Sequence, residues 1–150
     1  MRALSALLWS VLAAGCVVYD SGPVGPDSSG RPFVEGRWDI DAFVSSSTCG
    51  FVGDEPFSAR VFQNRDRIQF VVDIAGFGDL RYDGFLERDG DFFVRHTTFF
   101  PEADIRDSSQ VDGRFSFSGR SLTATEVEEI TDLRTGRTCR IVWRWRGDRR

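Results

Sequence analysis

Val34-Glu35-Gly36-Arg37-Trp38-Asp39-Ile40-Asp41-Ala42 sets apolar or small residues at one parity and charged residues at the other. Side chains of an extended chain point alternately to opposite faces, so a period of two marks a strand buried on one side and wet on the other. The stretch is read as a half-buried antiparallel strand with Trp38 on its inner face.

The same alternation recurs along the chain. Phe57–Gln63 and Ile68–Ile74 flank the polar turn Asn64-Arg65-Asp66-Arg67 and read as a hairpin. Ala75–Asp79 makes the next turn. Leu80, Tyr82, Gly84 and Leu86 then share a face opposite Arg81, Asp83 and Glu87. Asp89-Gly90 signals another hairpin, because type I′ turns need positive φ at both central positions. Phe92–Phe100 is a further strand, and Pro101–Gln110 reads as a polar connection with room for a turn of helix. Val111–Phe117, Leu122–Ile130 and Thr138–Trp145 complete a set of eight short strands, with no helical periodicity after the N-terminal segment. Regular short strands argue for a sandwich or an up-and-down barrel. Closure of the first strand on the last is favoured by charge: Glu35, Asp39 and Asp41 on one, Arg140, Arg144 and Arg146 on the other. The expected fold is all-β, a small eight-stranded antiparallel up-and-down barrel.

The chain has 150 residues, 41% hydrophobic and 28% charged, which is enough for one domain and not for two. Its net charge of −4 argues against a nucleic-acid partner. All 19 basic residues are arginine, so lysine Schiff-base and Walker-type chemistry are excluded. His96 is the single histidine beside three cysteines, which excludes a histidine-rich metal site. Neither metal nor cofactor is expected.

Met1-Arg2 followed by the apolar run Ala3–Ala14 has the form of a secretory signal and is too short to span a bilayer as a helix. Ala13-Ala14-Gly15-Cys16 resembles a bacterial lipobox. That resemblance implies lipidation of Cys16 and, with Val17 rather than aspartate next, an outer-membrane anchor facing the periplasm or cell surface. Cys49 and Cys139 are then expected to form a disulfide in an oxidising compartment. Residues 16–32, rich in Gly, Pro and Ser, form a tether with a reach of roughly 20–25 Å. The barrel domain is 33–150.

Gly36-Arg37-Trp38 resembles the Gly-x-Trp motif of lipocalin-like barrels. The resemblance implies a ligand cavity at the barrel mouth and an arginine of the last strand, Arg144 or Arg146, packed over Trp38. In size, anchoring and single disulfide the chain also resembles periplasmic barrel inhibitors of secreted metalloproteases.

Candidate lumen residues follow from parity: Trp38, Phe70, Tyr82, Phe115 and Trp143 for an apolar ligand. Glu126 and Glu128 share a face with Leu122, Ala124 and Ile130. Turned inward they would need partners such as Arg95 or Tyr82. Because unpartnered buried charge is expensive, the favoured register turns them to solvent and Thr123, Thr125 and Val127 inward. His96 is expected at the surface or rim, since no nucleophile motif accompanies it. Glu87, Asp89 and Asp91 are too few for a calcium loop. The expectation is a non-catalytic envelope lipoprotein, a binding or scaffolding module whose barrel holds a small apolar ligand. The alternative is a protein-binding envelope factor such as a periplasmic protease inhibitor.

Overall fold

A computed structural model describes residues 30–74 and 78–150. Eight strands follow one another: β1 (Gly36–Ser47), β2 (Glu55–Asn64), β3 (Arg67–Ile74), β4 (Gly78–Leu86), β5 (Asp91–Phe100), β6 (Ile105–Phe115), β7 (Ser121–Asp132) and β8 (Thr138–Arg149). Each pairs antiparallel with the next, and β8 returns to β1, closing an up-and-down barrel. Closure removes the free edges that an open sheet would expose.

The period of two decides which side chains enter. Trp38, Ile40 and Ala42 of β1 are buried and Arg37 and Asp41 are exposed. The β1–β8 seam carries the expected charge complementarity: Asp41 stands opposite Arg146, and Asp39 pairs with Arg150. A bulge between Val44 and Ser46 shifts the register toward the disulfide end. There Cys49 and Cys139 are bonded, with Cα atoms 4.9 Å apart.

The two ends of the barrel differ. At one end Trp38, Phe70, Phe92 and Phe115 fill the lumen with aromatic contacts at 4.7–6.1 Å. The segment before β1 seals that end. Pro32 and Val34 are buried there, Arg31 Nε donates to Leu86 O, and Trp38 Nε1 donates to Val34 O. Arg149 lies opposite Trp38, donates to Phe33 O at 2.9 Å and sits over the Phe33 ring. Arg149, not Arg144 or Arg146, is therefore the last-strand arginine at the tryptophan end. The other two are exposed, and Arg144 bonds Thr125 instead.

Two expectations about connections are corrected. β6 begins at Ile105, so the connection after β5 is only residues 101–104, closed by Asp104 with φ of 51°. The β4–β5 turn is a four-residue loop, 87–90, in which Gly90 alone has positive φ, 91°. Gly84 allows the close approach of β4 to β5. A Cβ there would stand 1.8 Å from the Phe93 carbonyl oxygen.

Candidate functional site

Toward the disulfide end the lumen changes character. Along β5 the inward positions run Phe92, Val94, His96, Thr98, and along β6 they run Phe115, Val111, Ser109, Asp107. Along β7 they run Leu122, Ala124, Glu126, Glu128. Cross-strand register gathers these polar groups: His96 lies opposite Ser109, Ser109 opposite Glu128, and Glu126 opposite Trp143. A cavity of about 690 Å³ opens above them, with Ala42, Phe57, Val72, Leu80 and Phe100 among its apolar walls.

Glu126 is the best-anchored member. Tyr82 Oη donates to its Oε1 at 3.1 Å and Trp145 Nε1 to its Oε2 at 3.0 Å. Glu128 Oε2 accepts from Trp143 Nε1 at 2.7 Å. Each carboxylate is thus held by an aromatic N–H or O–H, not by a cation. The register expected to turn both glutamates outward is therefore corrected. Thr123 is exposed and Thr125 and Val127 are only half-buried, while Glu126 is buried. These ring donors meet the cost that made an inward register look unfavourable.

Asp107 is less well served. Its Oδ2 lies 3.7 Å from His96 Nε2, beyond hydrogen-bonding distance, and its buried Oδ1 accepts no hydrogen bond. The hydroxyl of Ser109, a residue only 2% exposed, lies beside Glu126 and favours its ionised form.

These surroundings displace the titrations. Burial, reinforced by the Glu128 charge, pushes Asp107 up to about 7. Burial also pushes Glu126 up to about 7, against the hydrogen bonds that favour its ionised form. Glu128 is raised for the same reason, with the Trp143 donor opposing. Tyr82 is driven well above the ordinary phenol value by burial and then by the Glu126 charge. Burial lowers His96, which leaves it neutral at pH 7.

The sequence-derived candidates separate into three places. Tyr82, Trp143, Glu126 and Glu128 line the cavity. Trp38, Phe70 and Phe115 belong to the filled half, where each is at most 1% exposed. Arg95 is on the outer wall, opposite Asp83, because its neighbours Val94 and His96 take the inward parity. His96, expected at the surface, is buried against Tyr82 with ring centroids 4.6 Å apart. Asp107 and Ser109 were hidden in a stretch read as a connection, since a strand whose inward residues are polar shows no apolar alternation.

The β4–β5 ladder has four pairs, Asp83–Leu86 against Phe92–Arg95, and stops just before Tyr82 and His96. The wall beside the polar cluster is therefore unladdered. Cys16 and the lipobox lie outside the described residues. Among the described residues no three His, Cys, Asp or Glu groups are placed to hold a metal ion. No protein-family model matches the sequence, and no curated protein matches it significantly.

Proposed function

We propose that the chain is a non-catalytic, lipid-anchored envelope protein that binds a small ligand with an apolar body in the open half of its barrel. The observation that carries this reading is the cavity of about 690 Å³. It falls in the size range of small-molecule sites and combines apolar walls with a few convergent polar groups. The resemblance of Gly36-Arg37-Trp38 to lipocalin-like barrels implies a ligand cavity at a barrel mouth, and the open half provides one.

The test is a titration of the full chain in detergent with N-phenyl-1-naphthylamine, a neutral probe that brightens in apolar surroundings. Saturable one-to-one binding, lost in Ala42→Trp with unchanged circular dichroism, supports the reading. Absence of saturable binding, or full binding in the filled variant, overturns it.

A second reading, a protein-binding factor such as a periplasmic protease inhibitor, is favoured by Phe51. This residue is fully exposed in the loop that carries Cys49, with exposed Phe99 and Leu133 at the same end. Inhibition of a secreted metalloprotease that disappears in Phe51→Ser would support it, and no inhibition would end it.

A further inference from the structure

We propose that the ligand of this cavity is an organic cation, with an ammonium or guanidinium group seated among Asp107, Glu126 and Glu128 and an apolar body against Phe57 and Leu80. The inference rests on the reading of the open half as a ligand site and names the chemistry that site selects.

Charge is the first reason. Six carboxylates line the cavity: Glu55, Asp73, Asp79, Asp107, Glu126 and Glu128. No arginine lines it among the described residues, and the chain contains no lysine. Of the rim acids, Asp79 meets Arg81. The three deep ones meet no cation, since the nearest basic group, His96, is buried and uncharged at neutral pH. Low-dielectric walls focus such a one-signed field and raise the local concentration of the opposite charge.

The second reason is independent of charge. Asp107 Oδ1 is a buried acceptor with no donor, in a residue that lines the cavity. Buried polar atoms are rarely left so, and an orphaned carboxylate oxygen beside a cavity asks for an N–H. A ligand ammonium with three donors would supply one to Asp107, with others to spare for Glu128.

Geometry is the third. Trp143, Trp145 and Tyr82 hold the two glutamates in place before any ligand arrives, which lowers the ordering cost of binding. Tyr82 and Trp143, aromatic residues of the cavity wall, also suit a cation. A metal ion is the poorer occupant. Both oxygens of Glu126 already accept ring donors, and the carboxylates do not converge as a metal's ligand set would.

The experiment compares three probes of one shape by calorimetry on the full chain in detergent, at about pH 8, where groups titrating at about 7 are ionised. They are 2-phenylethylamine, 2-phenylethanol and 3-phenylpropanoate. The expected result is amine binding at least about tenfold tighter than the alcohol, with no detectable binding of the carboxylate. In the double variant Asp107→Asn, Glu128→Gln the amine should fall to the level of the alcohol. Alcohol or carboxylate binding as tightly as the amine overturns the cation and leaves the ligand site standing. The same holds if calcium chloride displaces the amine. If neither these probes nor N-phenyl-1-naphthylamine bind, the ligand site itself is overturned.

Discussion

Tyr82 Oη donates a hydrogen bond to Glu126 Oε1 across the lumen, joining β4 to β7 through the inside of the barrel. Neither residue is adjacent to the other in the sheet, where Tyr82 faces Phe70 on β3 and Glu126 faces Val111 and Trp143. The bond marks the level at which the barrel stops being a core. Below it aromatic rings are packed together, and above it carboxylates border an opening.

The first consequence is a pH dependence. The folded chain holds protons on Asp107 and Glu126 up to about pH 7, whereas the unfolded chain releases them near the ordinary carboxylate values. The folded state therefore binds more protons between about pH 4 and 7, and stability falls as pH rises through that window. The surface acids Asp39, Asp91 and Asp132 are lowered, so their contributions are lost only below about pH 4 and do not mask the trend. Glu126 is faced by Tyr82, Ser109, Glu128 and Trp145, and Asp107 by His96 and Glu128; none of these brings a positive charge at neutral pH. Below its ordinary value of 6.5 the buried His96 acts in the opposite sense, since the unfolded chain takes up its proton more readily. With Asp107, Glu126 and Glu128 all raised, melting temperatures from pH 4.5 to 7.5 should still decline, and Glu126→Gln should flatten the decline. A rise over the same range would contradict the assignment.

Core and wall aromatics should differ sharply. Phe70 is fully buried among Phe92, Phe115 and Trp145, so Phe70→Ala should cost about 3–5 kcal/mol in urea unfolding. Phe85 is half exposed on the outer wall beneath Arg67, and Phe85→Ala should cost less than about 1 kcal/mol. Equal costs would mean that the inward parity is wrong.

Breaking Cys49–Cys139 removes a link between residues 90 apart in sequence. The double change to serine should lower stability by about 2–4 kcal/mol. Because the bond lies at the open end, hydrogen exchange should accelerate most in residues 45–54 and 133–140. Uniform acceleration over the whole barrel would place the effect elsewhere.

Arg149 and Arg144 make a paired test of the sealed end. Arg149→Ala removes a charge-assisted bond to Phe33 O and the contact over the Phe33 ring, and should cost about 1–3 kcal/mol. The freed segment should also become a protease target near residues 30–35. Arg144→Ala removes an exposed bond to Thr125 and should stay within about 0.5 kcal/mol. Similar losses for both would contradict the role given to Arg149.

The barrel is legible in the sequence wherever its inner face is apolar. Trp38, Ile40 and Ala42, or Val111 and Phe115, alternate cleanly with charged neighbours, so strand and inward parity are both visible. Legibility fails where the lumen turns polar. Asp107 and Ser109 sit inside Ile105-Arg106-Asp107-Ser108-Ser109-Gln110, whose two faces have the same polarity, and the strand reads as a loop. His96 stands where aromatics occupy both faces, which conceals its direction. Glu126 and Glu128 are visible as inward by parity. The partners that make this tolerable, Trp143 and Trp145, come from β8 and are known only once the register is known. Arg149 is missed for another reason: β8 runs past Trp145 to the C-terminal arginines, whose charges suggest a strand already ended. The breakdown of the period of two is thus concentrated at the proposed site, as expected where function displaces the residues that folding alone would choose.

The most direct test of the central claim, a filled half and a binding half in one barrel, follows the indole N–H signals of the full chain by NMR during titration with 2-phenylethylamine. Trp143 and Trp145 hold the cavity glutamates through those groups, while the Trp38 indole is bonded to Val34 O in the sealed half. The account predicts saturable shifts at Trp143 and Trp145 with Trp38 unmoved. Shifts at Trp38 with the other two unchanged, or no shifts at saturating amine, would contradict it.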